Sequence, residues 1–216
     1  MPSNNFGQIQ QPFYTEDQRK EIARVRQALK VHMAKAKPKR YAHSLSVAKT
    51  ATSLALMYDV DPYLACCAGL LHDWEKVFDN DQQIASAHEL GIDLGVDLSL
   101  VGNLLHGPLA ARRLPAVFPE LPSAVWQAIA RHTMGAIDMM PLDMVVFVAD
   151  GIEPLRAKTP SLERIRHRVG KVSLTSLYWE SFVGGIIYVL QGGRYLYPGT
   201  LEIYNALVLR HLPNLG

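Results

Sequence analysis

An all-α, single-domain protein is what this sequence predicts, and three observations predict it. Apolar residues recur at spacings of three and four over most of the chain, which is the period of one helix face. The Val/Ile-rich runs lack period-two alternation and hairpin dipeptides are scarce, so strands find no support. Capping residues stand where the apolar periods begin. The chain has 216 residues, 49% of them hydrophobic, enough for one sizeable core.

Residues 1–14 are rich in Asn, Gln and Pro and have no period; they are expected to form a flexible tail ahead of one domain over 15–216. Thr15 and Gln18 make a capping box, and Ile22, Val25, Leu29 and Met33 continue at helical spacing. "KAKPKR" (35–40) interrupts that helix, and a second is expected from about Tyr41 to Tyr58, burying Leu45, Ala48, Leu54 and Ala55. Asp61-Pro62 joins an N-cap to a favoured first-turn proline, launching the helix that ends in "CCAGLLHDWEK" (66–76). Gly and Asp then punctuate the chain from Asp79 to Gly107, predicting short helices and loops. Ser123 is expected to cap "AVWQAIARHT", and "PLDMVVFVADGIEPLR" reads as an apolar helix carrying Asp143 and Asp150. Helical patterns with Gly-rich breaks at 184–185 and 192–193 fill the remainder. No internal repeat or low-complexity segment interrupts the series.

The bulk numbers exclude some functions. Lys+Arg 22 against Asp+Glu 20 offers no whole-surface case for nucleic acid or an anionic membrane, though a local basic pocket stays open. The N-terminus lacks a signal-peptide pattern. The run "LYWESFVGGIIYVL" (177–190) is too short to span a bilayer and contains Glu180; it reads as a buried or interface helix, which leaves a homodimer open. The neighbouring Cys66 and Cys67 rule out a disulfide framework, fit a reducing cytoplasm, and read as two small buried hydrophobes.

The polar residues on apolar faces are the anomaly. His43 precedes Val47, Thr50 and Leu54 at helical spacing, and Val125 and Ile129 lead to His132 by the same rule. His72 and Asp73 follow Leu70 and Leu71, Asp150 closes "VVFVAD", and His106 sits in "NLLHGPL". Any one alone reads as a hydrogen-bonded core residue. Four imidazoles and two carboxylates buried separately would be very costly, and a shared metal centre removes that cost. The set holds no thiolate, and six ligands exceed what one catalytic ion with open positions needs; two ions bridged by a carboxylate fit better.

Taken with their flanks, "RYAHSLSVA", "AGLLHDWEK", "HGPLAA", "AIARHTMG" and "ADGIEPLR", these residues resemble the HD-superfamily metal phosphohydrolases, and among them the YqeK family. The likeness runs from roughly Arg40 to Arg156, and more weakly to "YNAL"; it departs from the family at "GAIDMM" and in its longer N-terminal tail. The resemblance implies a helical bundle and an enzyme that cleaves diadenosine tetraphosphate symmetrically into two ADP. It further implies one iron held by His43, His72, Asp73 and Asp150, with Asp73 bridging to a second ion on His106 and His132. Attack by a metal-bridging hydroxide would make Asp73 catalytic.

Phosphoanhydride hydrolysis also needs positive charge around the transferring phosphoryl group. Lys76, expected on the same helix face as His72 and Asp73, is assigned to that catalytic task, with Arg156 beside it and Arg112 or Arg113 as alternatives that read equally as a solvated face. His106 and Thr133 complete the expected substrate contacts, although Thr133 reads equally as satisfying a nearby backbone group, and Glu153 is read as orienting a ligand or Arg156. His32, His88, His167 and His211 lack apolar framing and are read as surface or structural. Other readings stay open at this point: an HD phosphohydrolase acting on a nucleoside monophosphate, a triphosphate or a cyclic dinucleotide, a di-iron oxygenase, or a non-catalytic nucleotide-binding regulator.

Overall fold

The computed structural model describes residues 12–211. The expected tail lies outside these residues except for its last three positions, where the Tyr14 hydroxyl already donates to the Pro62 carbonyl at 3.4 Å. Ten α-helices and no strand occur among the described residues: α1 Glu16–Met33, α2 Pro38–Met57, α3 Pro62–Leu71, α4 Asn80–Glu89, α5 His106–Val117, α6 Ser123–Arg131, α7 Pro141–Ile152, α8 Pro160–Arg168, α9 Leu174–Gln191 and α10 Pro198–His211. No helix among them is long and apolar enough to cross a membrane.

The middle of the bundle is α3. Every residue from Ala65 to Leu71 is buried, as expected of a helix that is apolar all round. Its N-terminus starts as the sequence requires, with the Asp61 carboxylate accepting from the Tyr63 and Leu64 amides and Pro62 in the first turn. Around it α1 contributes Val25, Leu29 and Met33, α2 Val47, Ala48, Ala51 and Leu54, α6 Val125 and Ile129, and α7 Val145, Val146, Val148 and Ala149. A smaller cluster of Ala87, Leu98, Val101, Leu105 and Leu109 ties α4 and the short 3-10 turns to α5. Cys66 and Cys67 are buried core residues, and burial pushes both thiols up in pKa, so neither is a reactive thiolate.

Four local expectations are corrected. α2 begins inside "KAKPKR", because Pro38 is suited to a first helical turn, where its missing N–H costs nothing. Ser123 is the first residue of α6, and Pro122 occupies the cap without a side-chain bond. α9 runs unbroken through Gly184 and Gly185, where two glycines cost about 1 kcal/mol each but sit among Leu, Ile, Phe and Tyr residues that keep the helix; the break comes only at Gly192 and Gly193. Finally, the helix bearing the His72-Asp73 doublet ends at Leu71. His72 caps it, Asp73 turns the chain, and Lys76 lies in a 3-10 turn, Trp74–Val77.

The approach of α2 to α3 depends on Gly69. A Cβ there would lie 2.6 Å from the Ala48 Cα and 2.9 Å from its amide nitrogen, both backbone atoms. Gly69→Ala is therefore expected to destabilise the fold by about 1–3 kcal/mol, at roughly 2–4 °C in Tm per kcal/mol. Calorimetry of the variant checks it, and an unchanged Tm would contradict the close approach.

Candidate metal centre

Five helices deliver six side chains to one buried place. His43 comes from the first turns of α2, His72 and Asp73 from the end of α3, His106 from the start of α5, His132 from the end of α6 and Asp150 from the last turn of α7. His72 is fully buried, and His43, Asp73, His106 and His132 are nearly so. The Nε2 atoms of His43 and His72 are 3.3 Å apart, with Asp150 Oδ1 2.9 Å from the first and 3.7 Å from the second. On the other side the Nε2 atoms of His106 and His132 are 3.0 Å apart. Asp73 lies between, with Oδ1 3.3 Å from His106 Nε2 and Oδ2 3.7 Å from His43 Nε2.

The other ring nitrogens show why the four imidazoles point inward. His72 Nδ1 bonds the Gly69 carbonyl at 2.8 Å, His106 Nδ1 that of Asn103 at 3.1 Å and His132 Nδ1 that of Ile129 at 2.6 Å. Each acceptor is three residues earlier. His72 and His132 close their helices, where the last carbonyls have no amide partner and are free to take a side-chain proton. His43 lies within α2, where those carbonyls are already used, so its Nδ1 pairs instead with Glu153 Oε1 at 3.0 Å. Glu153 is buried in turn and accepts the Leu155 amide at 2.7 Å through Oε2.

These contacts test whether a metal fits. A carbonyl or carboxylate only accepts, so each Nδ1 carries the proton and each neutral Nε2 presents a bare lone pair. Two lone pairs facing each other at 3.0 or 3.3 Å require a cation between them. Burial lowers the pKa of His106 and takes that of His132 down to about 3, so a proton is a poor candidate for the cation of that couple. In the other couple, against the burial that lowers it, the Asp150 contact and the Asp73 charge raise the pKa of His43. Three C-terminal helix ends, those of α3, α6 and α7, also bring partial negative charge to the place. The donor set of imidazole and carboxylate suits a divalent transition metal. The residues fit a metal.

Cations border the carboxylates. Arg156 donates to Asp150 Oδ1 at 2.6 Å and to its carbonyl at 3.0 Å. Arg40 donates to Asp73 Oδ2 at 3.0 Å, a residue the sequence reading passed over although it stands one turn before His43 on α2. Against the burial that would raise it, the His43 contact and the Arg156 charge hold the Asp150 carboxyl well below its usual range. Lys76 Nζ reaches the Asn103 carbonyl at 3.2 Å, the same oxygen that orients His106. Burial lowers its pKa, with Asp73 acting in the opposite direction. The Lys76 amide bonds the Asp73 carbonyl at 2.9 Å, so the 3-10 step keeps it beside Asp73 although the helix has ended.

Other expected residues lie elsewhere. Arg113 turns away to pair with the buried Glu75 at 2.8 Å and with Ser86 at 2.9 Å, and Arg112 is exposed. His32 stacks on Trp74 with ring centroids 4.0 Å apart, and His88 and His167 are exposed, so all three are surface or structural. His211 closes α10 outside the residues whose side chains are described. Thr133 adjoins His132, and its buried hydroxyl has no hydrogen-bond partner among the described residues. The unexpected "GAIDMM" segment places Asp138 3.1 Å from Arg131, which also holds the buried Asp143 at 2.9 Å; together they fix the end of α6 that carries His132.

The HD domain family model matches residues 40–155. The symmetrical bis(5'-nucleosyl)-tetraphosphatase of Halalkalibacterium halodurans is 34% identical over 79% of this chain and 89% of its own length. The protein of the same description from Staphylococcus aureus is 34% identical over 84% of this chain and 93% of its own. A crystal structure from Clostridium acetobutylicum, described as a predicted HD superfamily hydrolase involved in NAD metabolism, superposes with a TM-score of 0.76 and 30% identity, covering 92% of this chain and all of that one. The histidine and aspartate cluster, the helical bundle and these relatives agree: the chain belongs to the HD-domain hydrolases, in the symmetrical bis(5'-nucleosyl)-tetraphosphatase (YqeK-type) family.

Proposed function

We propose that this protein hydrolyses diadenosine tetraphosphate at its central phosphoanhydride bond, giving two ADP. The observation that carries the reading is the pair of facing imidazole couples on either side of Asp73, bordered by Arg40, Lys76 and Arg156. In this reading His43, His72, Asp73 and Asp150 would hold one iron ion, and His106 and His132, with Asp73 shared, would hold a second. Such ions supply Lewis acidity and a water whose pKa is lowered enough to act as nucleophile at neutral pH.

The side chains around them do the rest. Asp73 presents an oxygen to each imidazole couple, as a bridge must. Lys76 and Arg156, with Arg40 beside them, face the negative charge of the phosphates and are preorganised, so stabilising the departing diphosphate needs little rearrangement. The reaction adds one water: a new oxygen–phosphorus bond forms at one inner phosphorus as its bond to the bridging oxygen breaks, and the departing ADP takes up the proton. The near-balanced charge supports a small dinucleotide rather than a nucleic acid as the substrate. Free, buried Cys66 and Cys67 suit a cytoplasmic location.

Protein purified without added metal should carry about two iron ions per chain, the two-ion count following from the two-metal pattern, and should release ADP as the only nucleotide from diadenosine tetraphosphate. Elemental analysis with chromatography of the products checks both; AMP plus ATP would mean a different register of attack, and a fully active metal-free protein would refute the centre. Lys76→Ala should retain metal while kcat falls by roughly a hundredfold to a thousandfold. Were Lys76 only a tie to the Asn103 carbonyl, the variant would lose thermal stability and keep its kcat. Glu153→Ala frees the His43 ring to change tautomer and is expected to weaken metal affinity by about 10–100-fold, with partial rescue by Glu153→Gln. Competition against a chelator measures it, and wild-type retention in the alanine variant would remove Glu153 from this positioning role.

A further inference from the structure

A cavity of about 590 Å³ shares a wall with the metal centre. Asn103 and Thr133 belong to that wall. The Asn103 carbonyl accepts both His106 Nδ1 and the Lys76 ammonium, and Thr133 directly follows His132. The opposite wall comes from the second half of α9 and the segment after it. Tyr188, Tyr195 and Tyr197 line it, and the Arg194 guanidinium sits over the Tyr188 ring, 4.3 Å from its centroid. The lining contains no carboxylate. Tyr188 and Tyr195 are 62% and 45% exposed, so their rings are not committed to the core. The first half of α9 is different: Leu177, Tyr178 and Phe182 are buried.

We infer that this cavity is the subsite for one nucleoside of the substrate, with the base stacked on the Tyr188 and Tyr195 rings and the phosphates leading past Thr133 towards Lys76. The inference rests on the reading of the metal centre as a dinucleotide hydrolase and adds where a base is held. The size lies within the roughly 300–1,000 Å³ of small-molecule sites, and an aromatic lining with few polar groups is their usual composition. Aromatic faces bind any base by stacking, more strongly when it is a purine, and tyrosines at a cavity mouth offer that face to a ligand while their hydroxyls stay wet. The buried Thr133 hydroxyl, without a partner among the described residues, supplies a polar contact at the point where the cavity meets the metal centre. One cation and no carboxylate suit a ligand whose neutral base is followed by negative charge. The C-terminal part of α9, apolar yet exposed, thereby gains a role that core packing does not give it.

The test is calorimetric binding of ADP and of inorganic pyrophosphate to the metal-loaded protein and to its Tyr188→Ala and Tyr195→Ala variants. Both positions are exposed, and melting curves matching wild type confirm the fold. ADP affinity is expected to fall roughly 5- to 100-fold in at least one variant, while pyrophosphate, which has no base, binds as to wild type. ADP bound equally by all three proteins overturns the subsite, and so does an equal loss for both ligands, which would mark a general disturbance of the phosphate site. Should the wild type bind ADP with this tyrosine dependence yet leave diadenosine tetraphosphate intact, the cleavage reading fails while the subsite stands.

Discussion

Two buried imidazole lone pairs that face each other at close to 3 Å repel unless a cation lies between them, and this protein contains two such couples side by side, at 3.0 and 3.3 Å. Much of the fold can be understood as the means of holding that arrangement. Each ring is fixed through its Nδ1 proton, and in three of four cases the acceptor is a backbone carbonyl left over at or near a helix boundary. A bundle in which helices end around a common point supplies these carbonyls without any further side chain. His43 alone lies inside a helix, and it alone requires a dedicated acidic partner, Glu153.

The same geometry arranges charge. The C-terminal ends of α3, α6 and α7 converge and favour positive charge between them. The carboxylates of Asp73 and Asp150 add to that field, and Arg40 and Arg156 balance it from the rim. Buried carboxylates of this kind persist because each is paired; unpaired, either would be expected to take up a proton. Asp73 is the most constrained, meeting Arg40 through one oxygen and His106 through the other.

The sequence made the helices and the six inward-facing residues legible for different reasons. Local rules sufficed at Thr15 and Asp61, whose caps form as written, and along Val25, Leu29 and Met33, where the period marks the buried face. The imidazoles and carboxylates were visible because polar residues on apolar faces contradict the period around them. What local rules missed depends on tertiary partners. Gly184 and Gly185 look like a break, yet α9 is held by its packing through Leu177 and Phe182. The Arg40–Asp73 contact joins residues 33 positions apart, and Glu75–Arg113 joins residues 38 apart; neither leaves a periodic trace. Lys76 was assigned to an α-helical continuation because nothing in "HDWEK" signals that the turn tightens after Asp73.

That tightening has a functional logic of its own. Ending the helix at Leu71 lets the doublet close one side of the metal centre, while the 3-10 turn carries Lys76 to the Asn103 carbonyl on its rim. The whole chain is nearly neutral, so it has no long-range attraction that would gather a polyanion over its surface. Positive charge is instead local, with Arg40 and Arg156 on the carboxylates of Asp73 and Asp150 and Lys76 on the nearby Asn103 carbonyl.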